Sequence, residues 1–335
     1  MFDETKLYDH IQYDFPLHDR PYQRTGEVFG VCERTILSLL ARDLGNGRIS
    51  RIGAIFAPNA IGASTMAALA VPPARMERVV ERINGDPDIS QSHARDGHRF
   101  NLWFVAGARD RVELDGVLSR IATDVGQKPI DLPLEREYRV DLGLPLGLTH
   151  STRRTSAQAP QLPRMLGPVE RREFDEADWQ LATALEAGLP LTPLPYHALA
   201  RRTGLAVSDT LARLSNWRNA GLIRRFGAIL RQRHFGYTHN LMCVWNVPDT
   251  RVDAIGSRLA EVQHVTMCFR RTRRLPLWQY NLFAMVRARS ATELNVTLAR
   301  FQTVGGLADA PCAALQASQC FKQRGSRYGG VLPEL

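Results

Sequence analysis

Histidines and arginines are the side chains in this sequence best equipped to carry chemistry. His93 and His98 stand five positions apart, and His98 immediately precedes the string Arg99-Phe100-Asn101-Leu102-Trp103-Phe104. With an unperturbed pKa near 6.5, an imidazole can deliver a proton near neutrality or position a carboxylate. His98 and His93 are therefore the candidate catalytic residues. A second pair, His234 and His239, flanks Gly236-Tyr237. Arg51, Arg95, Arg225, Arg270 and Arg271 are the candidate anion holders, because a guanidinium fork grips a carboxylate bidentately. Tyr237 and Tyr280 could add hydrogen bonds. The five cysteines (Cys32, Cys243, Cys268, Cys312 and Cys320) form no CxxC pair, so reduced structural thiols and no protein-held metal are expected. Neither a P-loop nor a GxGxxG, HExxH or Gly-x-Ser-x-Gly motif occurs.

Composition narrows the partner. A formal charge of +9 and a pI near 9.7 favour an anion, either nucleic acid or a polyacid. Part of the excess is local, in the run Arg270, Arg271, Arg273 and Arg274. At 335 residues the chain exceeds what one core usually holds, so at least two domains are expected. Nothing in it approaches the roughly 18 apolar residues a membrane helix needs, and the start lacks a secretory pattern; a cytoplasmic protein without membrane contact is expected.

The elements that must position these residues come from a duplication. Adding 174 carries Pro21-Tyr22 onto Pro195-Tyr196, Gly30 onto Gly204, and Arg51, Gly53, Ala54 and Ile55 onto Arg225, Gly227, Ala228 and Ile229. The offset later becomes 180, where Asn101-Leu102 meets Asn281-Leu282, implying a short insertion in the second copy around Arg273 to Leu277. Each copy opens with two short helices separated by a glycine, 21–29 then 32–43 and 196–203 then 208–220, a helix-turn-helix. Ser208 is the expected N-cap of the last of these helices. Segments 51–56 and 225–230 look like strands.

A βαββαβ order follows in each copy. In the first it runs through 65–71, 73–84, 89–94, 100–106, 110–125 and 138–142. In the second it runs through 239–247, 250–260, 265–269, 280–287, 291–302 and 320–323. Domains are expected at 1–50, 51–148, 173–224 and 225–335, with a linker over 149–172. The fold class is α+β: a tandem duplication, each half a winged helix-turn-helix domain plus a ferredoxin-like domain, forming an intramolecular pseudo-dimer whose site can be asymmetric. Whole chains could also associate as a homo-oligomer.

A helix-turn-helix joined to βαββαβ resembles the Lrp/AsnC group, and several strings resemble its enzyme branch, the siroheme decarboxylases. These are Arg51-Ile52-Gly53-Ala54-Ile55, Arg225-Phe226-Gly227-Ala228-Ile229, His98 to Phe104, Tyr280-Asn281-Leu282-Phe283, and Phe321-Lys322-Gln323-Arg324-Gly325. The resemblance spans nearly the whole chain and is closest to the form in which two subunits are fused. It implies the loss of two acetate carboxyls from siroheme as CO2, giving 12,18-didecarboxysiroheme for haem d1 biosynthesis. The implied partner is siroheme itself, and no cofactor is implied beyond this iron-containing tetrapyrrole substrate, whose iron a histidine could ligate. The chain departs from the pattern at Phe100, where the family motif usually has Tyr, and at Met267 and Gln232, where the second-subunit type often carries histidine.

Two other readings exist: an Lrp/AsnC-type DNA-binding regulator, and a siroheme or haem carrier without turnover. DNA binding is not expected. The second helices of the two motifs carry Arg34 and Arg42 beside Glu33 and Asp43, and Arg213 and Arg218 beside Asp209, less positive charge than a phosphate-tracking helix usually holds.

Overall fold

The computed structural model describes residues 2–141, 143–144, 146 and 173–325; the linker expected over 149–172 lies outside the described residues. The described residues divide into two compact units, one drawing on those within 2–61 and 143–235, the other on those within 62–141 and 236–325.

The first unit holds α1 (Glu4–Tyr13), α2 (Pro21–Phe29), α3 (Glu33–Gly45), β1 (Ile49–Phe56), α6 (Glu176–Glu186), α7 (Pro195–Thr203), α8 (Val207–Asn219) and β6 (Ile223–Leu230). Pro21 and Pro195 start their helices at the position where a missing N–H costs nothing. Gly30 and Gly204, both at φ 66°, end them in the left-handed conformation that turns the chain into the second helix. Strands β1 and β6 pair antiparallel with each other, Gly53 directly opposite Gly227, so the two copies meet at equivalent residues. That pairing places both strands with the helices, whereas the sequence set them at the head of the α/β domains. Gly227 also lets α1 lie close, since a Cβ there would meet the Ile11 carbonyl at 2.2 Å.

Sequence reading passed over α1 and α6, although Leu7, Tyr8 and Ile11 in α1 and Leu181, Ala182 and Leu185 in α6 form buried stripes at helical spacing. Ser208 is not an N-cap: α8 begins one residue earlier, at Val207, and its cap residue is Ala206.

The second unit holds, from the first copy, β2 (Ala63–Leu69), α4 (Met76–Gly85), β3 (Ile89–Asp96), β4 (Leu102–Ala108), α5 (Arg111–Val125) and β5 (Ile130–Val140). From the second copy come β7 (His239–Trp245), α9 (Val252–Ala260), β8 (Val265–Arg271), β9 (Leu282–Ala288), α10 (Ala291–Gly305) and β10 (Cys312–Gln323). Each copy has the ferredoxin-like strand order. The final strand of each pairs with the other copy as well, β5 with β8 and β10 with β3, closing an eight-stranded barrel. These final strands are longer than the expected 138–142 and 320–323 because they serve two neighbours. Pro133, which has no N–H to give a ladder, hides the start of β5.

Helices α4 and α5 cover one outer face of the sheet over a core of Ile83, Ile89, Leu102, Phe104 and Ile121. Helices α9 and α10 cover the equivalent face over Leu259, Leu282, Val286 and Phe301. A third cluster draws on both copies and fills the barrel interior: Phe100, Trp103, Leu132, Met242, Phe269, Trp278, Tyr280, Phe283 and Leu315 among others. Every neighbouring pair around the barrel is antiparallel, so β3 and β8 run the same way. The β3–β4 and β8–β9 hairpins therefore lie at the same end.

Candidate functional site

That end of the barrel gathers the chemistry. Directly opposite residues on neighbouring strands share a face, so His93, opposite Trp103, faces the interior, as does Phe269 opposite Phe283. Two residues further on, Arg95 and Arg271 return to the same face. The copies are equivalent here: the Arg95 N–H donates to the Asn101 carbonyl at 2.8 Å, and the Arg271 N–H to the Asn281 carbonyl at 2.9 Å. Register along the hairpins then matches His98 with Trp278 and Phe100 with Tyr280, each 180 apart. Two of the matched pairs differ in chemistry, His93 against Phe269 and His98 against Trp278, the first copy supplying an imidazole where the second supplies an aromatic wall.

The matched loops touch. The His98 ring lies 5.0 Å from Trp278 and 6.2 Å from Tyr280, edge-on to both, and stacks 5.7 Å from Phe100. Gly97, at φ 100°, makes this hairpin possible: a Cβ there would sit 2.3 Å from the Ala314 carbonyl of β10. The Phe100 N–H donates to His98 Nδ1 at 3.1 Å, so neutral His98 carries its hydrogen on Nε2. Burial, then the neighbouring Arg99 charge, hold His98 below the usual imidazole pKa.

The two interior arginines hold matching carbonyls. Arg95 Nη1 donates to Leu315 O at 3.1 Å and Arg271 Nη1 to Leu132 O at 2.7 Å. Arg95 also reaches Asn240 Oδ1 at 3.4 Å. Arg271 lies over the rings of Phe269 and Phe283, 5.2 and 5.9 Å from their centres. Burial pushes each guanidinium down to about 10, which leaves both charged at neutral pH. No carboxylate of the described residues forms an ion pair with either.

Except for Tyr280, the other sequence candidates lie elsewhere. Arg270, one residue off the interior face, is tied to Glu135, Asp249 and Asp253. Arg273 and Arg274 anchor the β8–β9 hairpin through Asp249 and Asp131. His239 opens β7 with its ring on Thr238 at 3.0 Å. It precedes Asn240, which reaches the interior, and so belongs to the opposite face. Tyr237 is buried under Arg289. Tyr280 is among the interior rings. Arg51 on β1, Arg225 on β6 and His234 in the turn after β6 belong to the first unit. Of the residues bearing the resemblance, Asn101 and Asn281 have structural work: each side chain bonds both the N–H and the carbonyl of Val71 or Val247 at 2.8–3.0 Å, fastening the strand behind its hairpin.

Sequence reading missed Trp278, Trp103 and Asn240. For Trp278 a signal existed, since the offset of 180 that aligns Asn101 with Asn281 also aligns His98 with Trp278.

A duplicated βαββαβ chain closed into one barrel, with an interior that joins arginines, histidines and aromatics, defines a ligand-binding protein of the AsnC-like class. Residues 60–139 and 234–322 match the family model described as the AsnC-like ligand binding domain, and 178–224 match the siroheme decarboxylase NirDL-like helix-turn-helix domain. A siroheme decarboxylase NirDL subunit of Paracoccus pantotrophus is 37% identical over 323 residues, 96% of each chain. Its counterpart in Paracoccus denitrificans is 36% identical over 98% of each. The crystal structure of a siroheme decarboxylase NirDL shares the fold, with a TM-score of 0.68 at 22% identity over 98% of this chain and 95% of that one. The chain belongs to the siroheme decarboxylase NirDL family.

Proposed function

We propose that this protein is a carboxy-lyase that converts siroheme to 12,18-didecarboxysiroheme with release of two CO2, serving haem d1 biosynthesis. The observation that carries the reading is the chemical asymmetry of the barrel interior, where the first copy places His93 and His98 at the positions that Phe269 and Trp278 hold in the second, at the end where Arg95 and Arg271 also turn inward. The names of the full-length relatives point the same way.

Siroheme brings eight carboxylates, and Arg95 and Arg271 hold carboxylates in place. A carboxylate lying against His98 favours its imidazolium, reversing the effect of burial and Arg99; in that form Nδ1 carries a hydrogen too and gives up the bond from the Phe100 N–H. The substrate thereby loads its own proton donor. As the bond between methylene and carboxylate carbon breaks, its electron pair stays on the methylene carbon, delocalised into the macrocycle. CO2 leaves, and a proton from His98 Nε2 completes a methyl group. Each decarboxylation consumes one proton and transfers no net electrons, so the reading calls for no resident cofactor. His93, on the same interior face, is the second imidazole available for holding a carboxylate or returning a proton. The aromatic walls exclude water, which strengthens each charged contact.

A DNA-binding regulator has less support. Arg42 is held by Glu4 and Asp43, and Arg213 by Asp175 and Asp178, so these charges of the second helices are already engaged. Anaerobic incubation with siroheme tests the proposal: CO2 release that His98→Ala abolishes supports it. Retained tetrapyrrole without CO2 points to a carrier, and a sequence-specific shift of duplex DNA to a regulator.

A further inference from the structure

Among the described residues, two buried polar donors of the second copy, on Trp278 and Arg271, are left unmet beside one ring. Trp278 is 1% exposed, yet its Nε1–H has no hydrogen-bond partner among the described residues. The contrast lies 5.2 Å away: Trp103, in the same aromatic cluster, gives its Nε1–H to Phe100 O at 2.8 Å. Arg271 likewise leaves Nε unmet while Nη1 holds Leu132 O. Both residues pack on one ring: Phe283 lies 6.1 Å from the Trp278 ring and 5.9 Å from the Arg271 guanidinium. A buried donor without an acceptor is a standing cost that folds rarely retain. Two beside one ring, one of them cationic, suit a carboxylate.

The hairpin that presents Trp278 is built to hold it there. Arg274 donates to Asp131 O at 2.7 Å and Arg273 to Asn246 Oδ1 at 3.0 Å, while the Arg274 and Trp278 backbones exchange hydrogen bonds at 2.7 and 2.8 Å. Arg99 of the opposite hairpin reaches Leu277 O at 3.3 Å. The four residues by which this hairpin exceeds its first-copy counterpart, as the Arg271-to-Asn281 and Arg95-to-Asn101 spacings show, thus carry a fixed side chain to the imidazole.

We propose that Trp278 Nε1–H and Arg271 form a carboxylate subsite that seats one substrate carboxylate beside His98, making the second copy the element that selects which side chain of the tetrapyrrole reacts. The selection rests on the decarboxylase reading above. The first copy brings the proton; the second holds the group. An acetate carboxyl is one bond closer to the macrocycle than a propionate carboxyl, so a fixed pair of donors distinguishes the two by reach.

Trp278→Phe, which keeps an aromatic ring and deletes the donor, and the pair Arg271→Lys and Arg271→Gln test this with siroheme as substrate and iron uroporphyrin III as a binding probe. Losing a hydrogen bond to a charged group weakens binding about tenfold or more. We expect Trp278→Phe to raise KM and the probe's Kd by about that factor, with mono-decarboxylated product accumulating in the mass spectrum. Arg271→Lys should retain more affinity than Arg271→Gln. Wild-type KM, probe affinity and product ratio in Trp278→Phe and Arg271→Gln, with wild-type protein turning over alongside, would overturn the subsite and leave the decarboxylase reading intact. Should Trp278→Phe fail to fold by circular dichroism, the Arg271 pair decides alone. Absence of CO2 from the wild type would instead sink the underlying reading.

Discussion

Gly97→Ala adds a single methyl group to the turn that carries His98. The native φ of 100° lies outside the ordinary L-residue regions, and leaving a side chain in such a conformation costs about 1–3 kcal/mol. The added carbon would also sit 2.3 Å from Ala314 O, a backbone atom within the β10–β7 ladder that cannot simply swing away. Relieving the overlap adds roughly another 1–3 kcal/mol, as overpacking does. A total of about 4 kcal/mol lowers the melting temperature by roughly 8–16 °C for a unit of this size.

Function should fall further than stability, because the hairpin relieves the clash by moving His98, and a displacement near 1 Å can cost about 100-fold in rate. The control is Gly116→Ala, in the middle of α5, where an added Cβ meets nothing within 4 Å. There alanine should stabilise by about 0.5–1 kcal/mol, with turnover unchanged. Calorimetry and anaerobic steady-state kinetics on both variants read the outcome. A Gly97→Ala protein as stable and active as wild type would refute the placement of the hairpin and of His98 with it.

His98→Gln, which preserves shape without a titratable proton, should lower kcat about 10²–10⁴-fold while leaving iron uroporphyrin III bound, as absorbance titration would show. Since burial and Arg99 hold His98 below its ordinary 6.5, its imidazolium is lost from free enzyme as pH rises through a value under 6.5. The log of kcat/KM should therefore decline above that pH, and Arg99→Gln, by removing the repelling charge, should move the break upward. An unmoved break would assign it to another group. Asn281→Ala strands the Val247 N–H and carbonyl that the side chain now bonds, and should cost about 2–4 kcal/mol in denaturant melts. Asn101→Ala should cost about the same, because the Val71 bonds are its mirror.

The repeat made most of this fold legible. Offsets of 174 and 180 located both helix-turn-helix motifs and both βαββαβ runs, because glycine turns and strand-fastening asparagines recur wherever the backbone needs them. Strand ends were harder to see. β5 and β10 extend to pair across copies, a tertiary requirement that no local pattern announces. Among the site residues, the sequence could place His93, His98, Arg95 and Arg271 near strand ends, yet it could not rank the run from Arg270 to Arg274. Alternation along one strand separates Arg271, turned inward onto Phe283, from Arg270, bound outside to Glu135 and Asp253. Trp278 escaped because an insertion reads as a loop, and only the contact with His98 shows that loop to be part of the interior.

The most direct test of the central claim is the mass of the tetrapyrrole recovered after anaerobic incubation with siroheme in deuterium oxide. Loss of two CO2, with one deuterium in each new methyl group, is the predicted result and would confirm a decarboxylation completed by a solvent-exchangeable donor. Siroheme recovered at its original mass from a folded, tetrapyrrole-bound protein would contradict it.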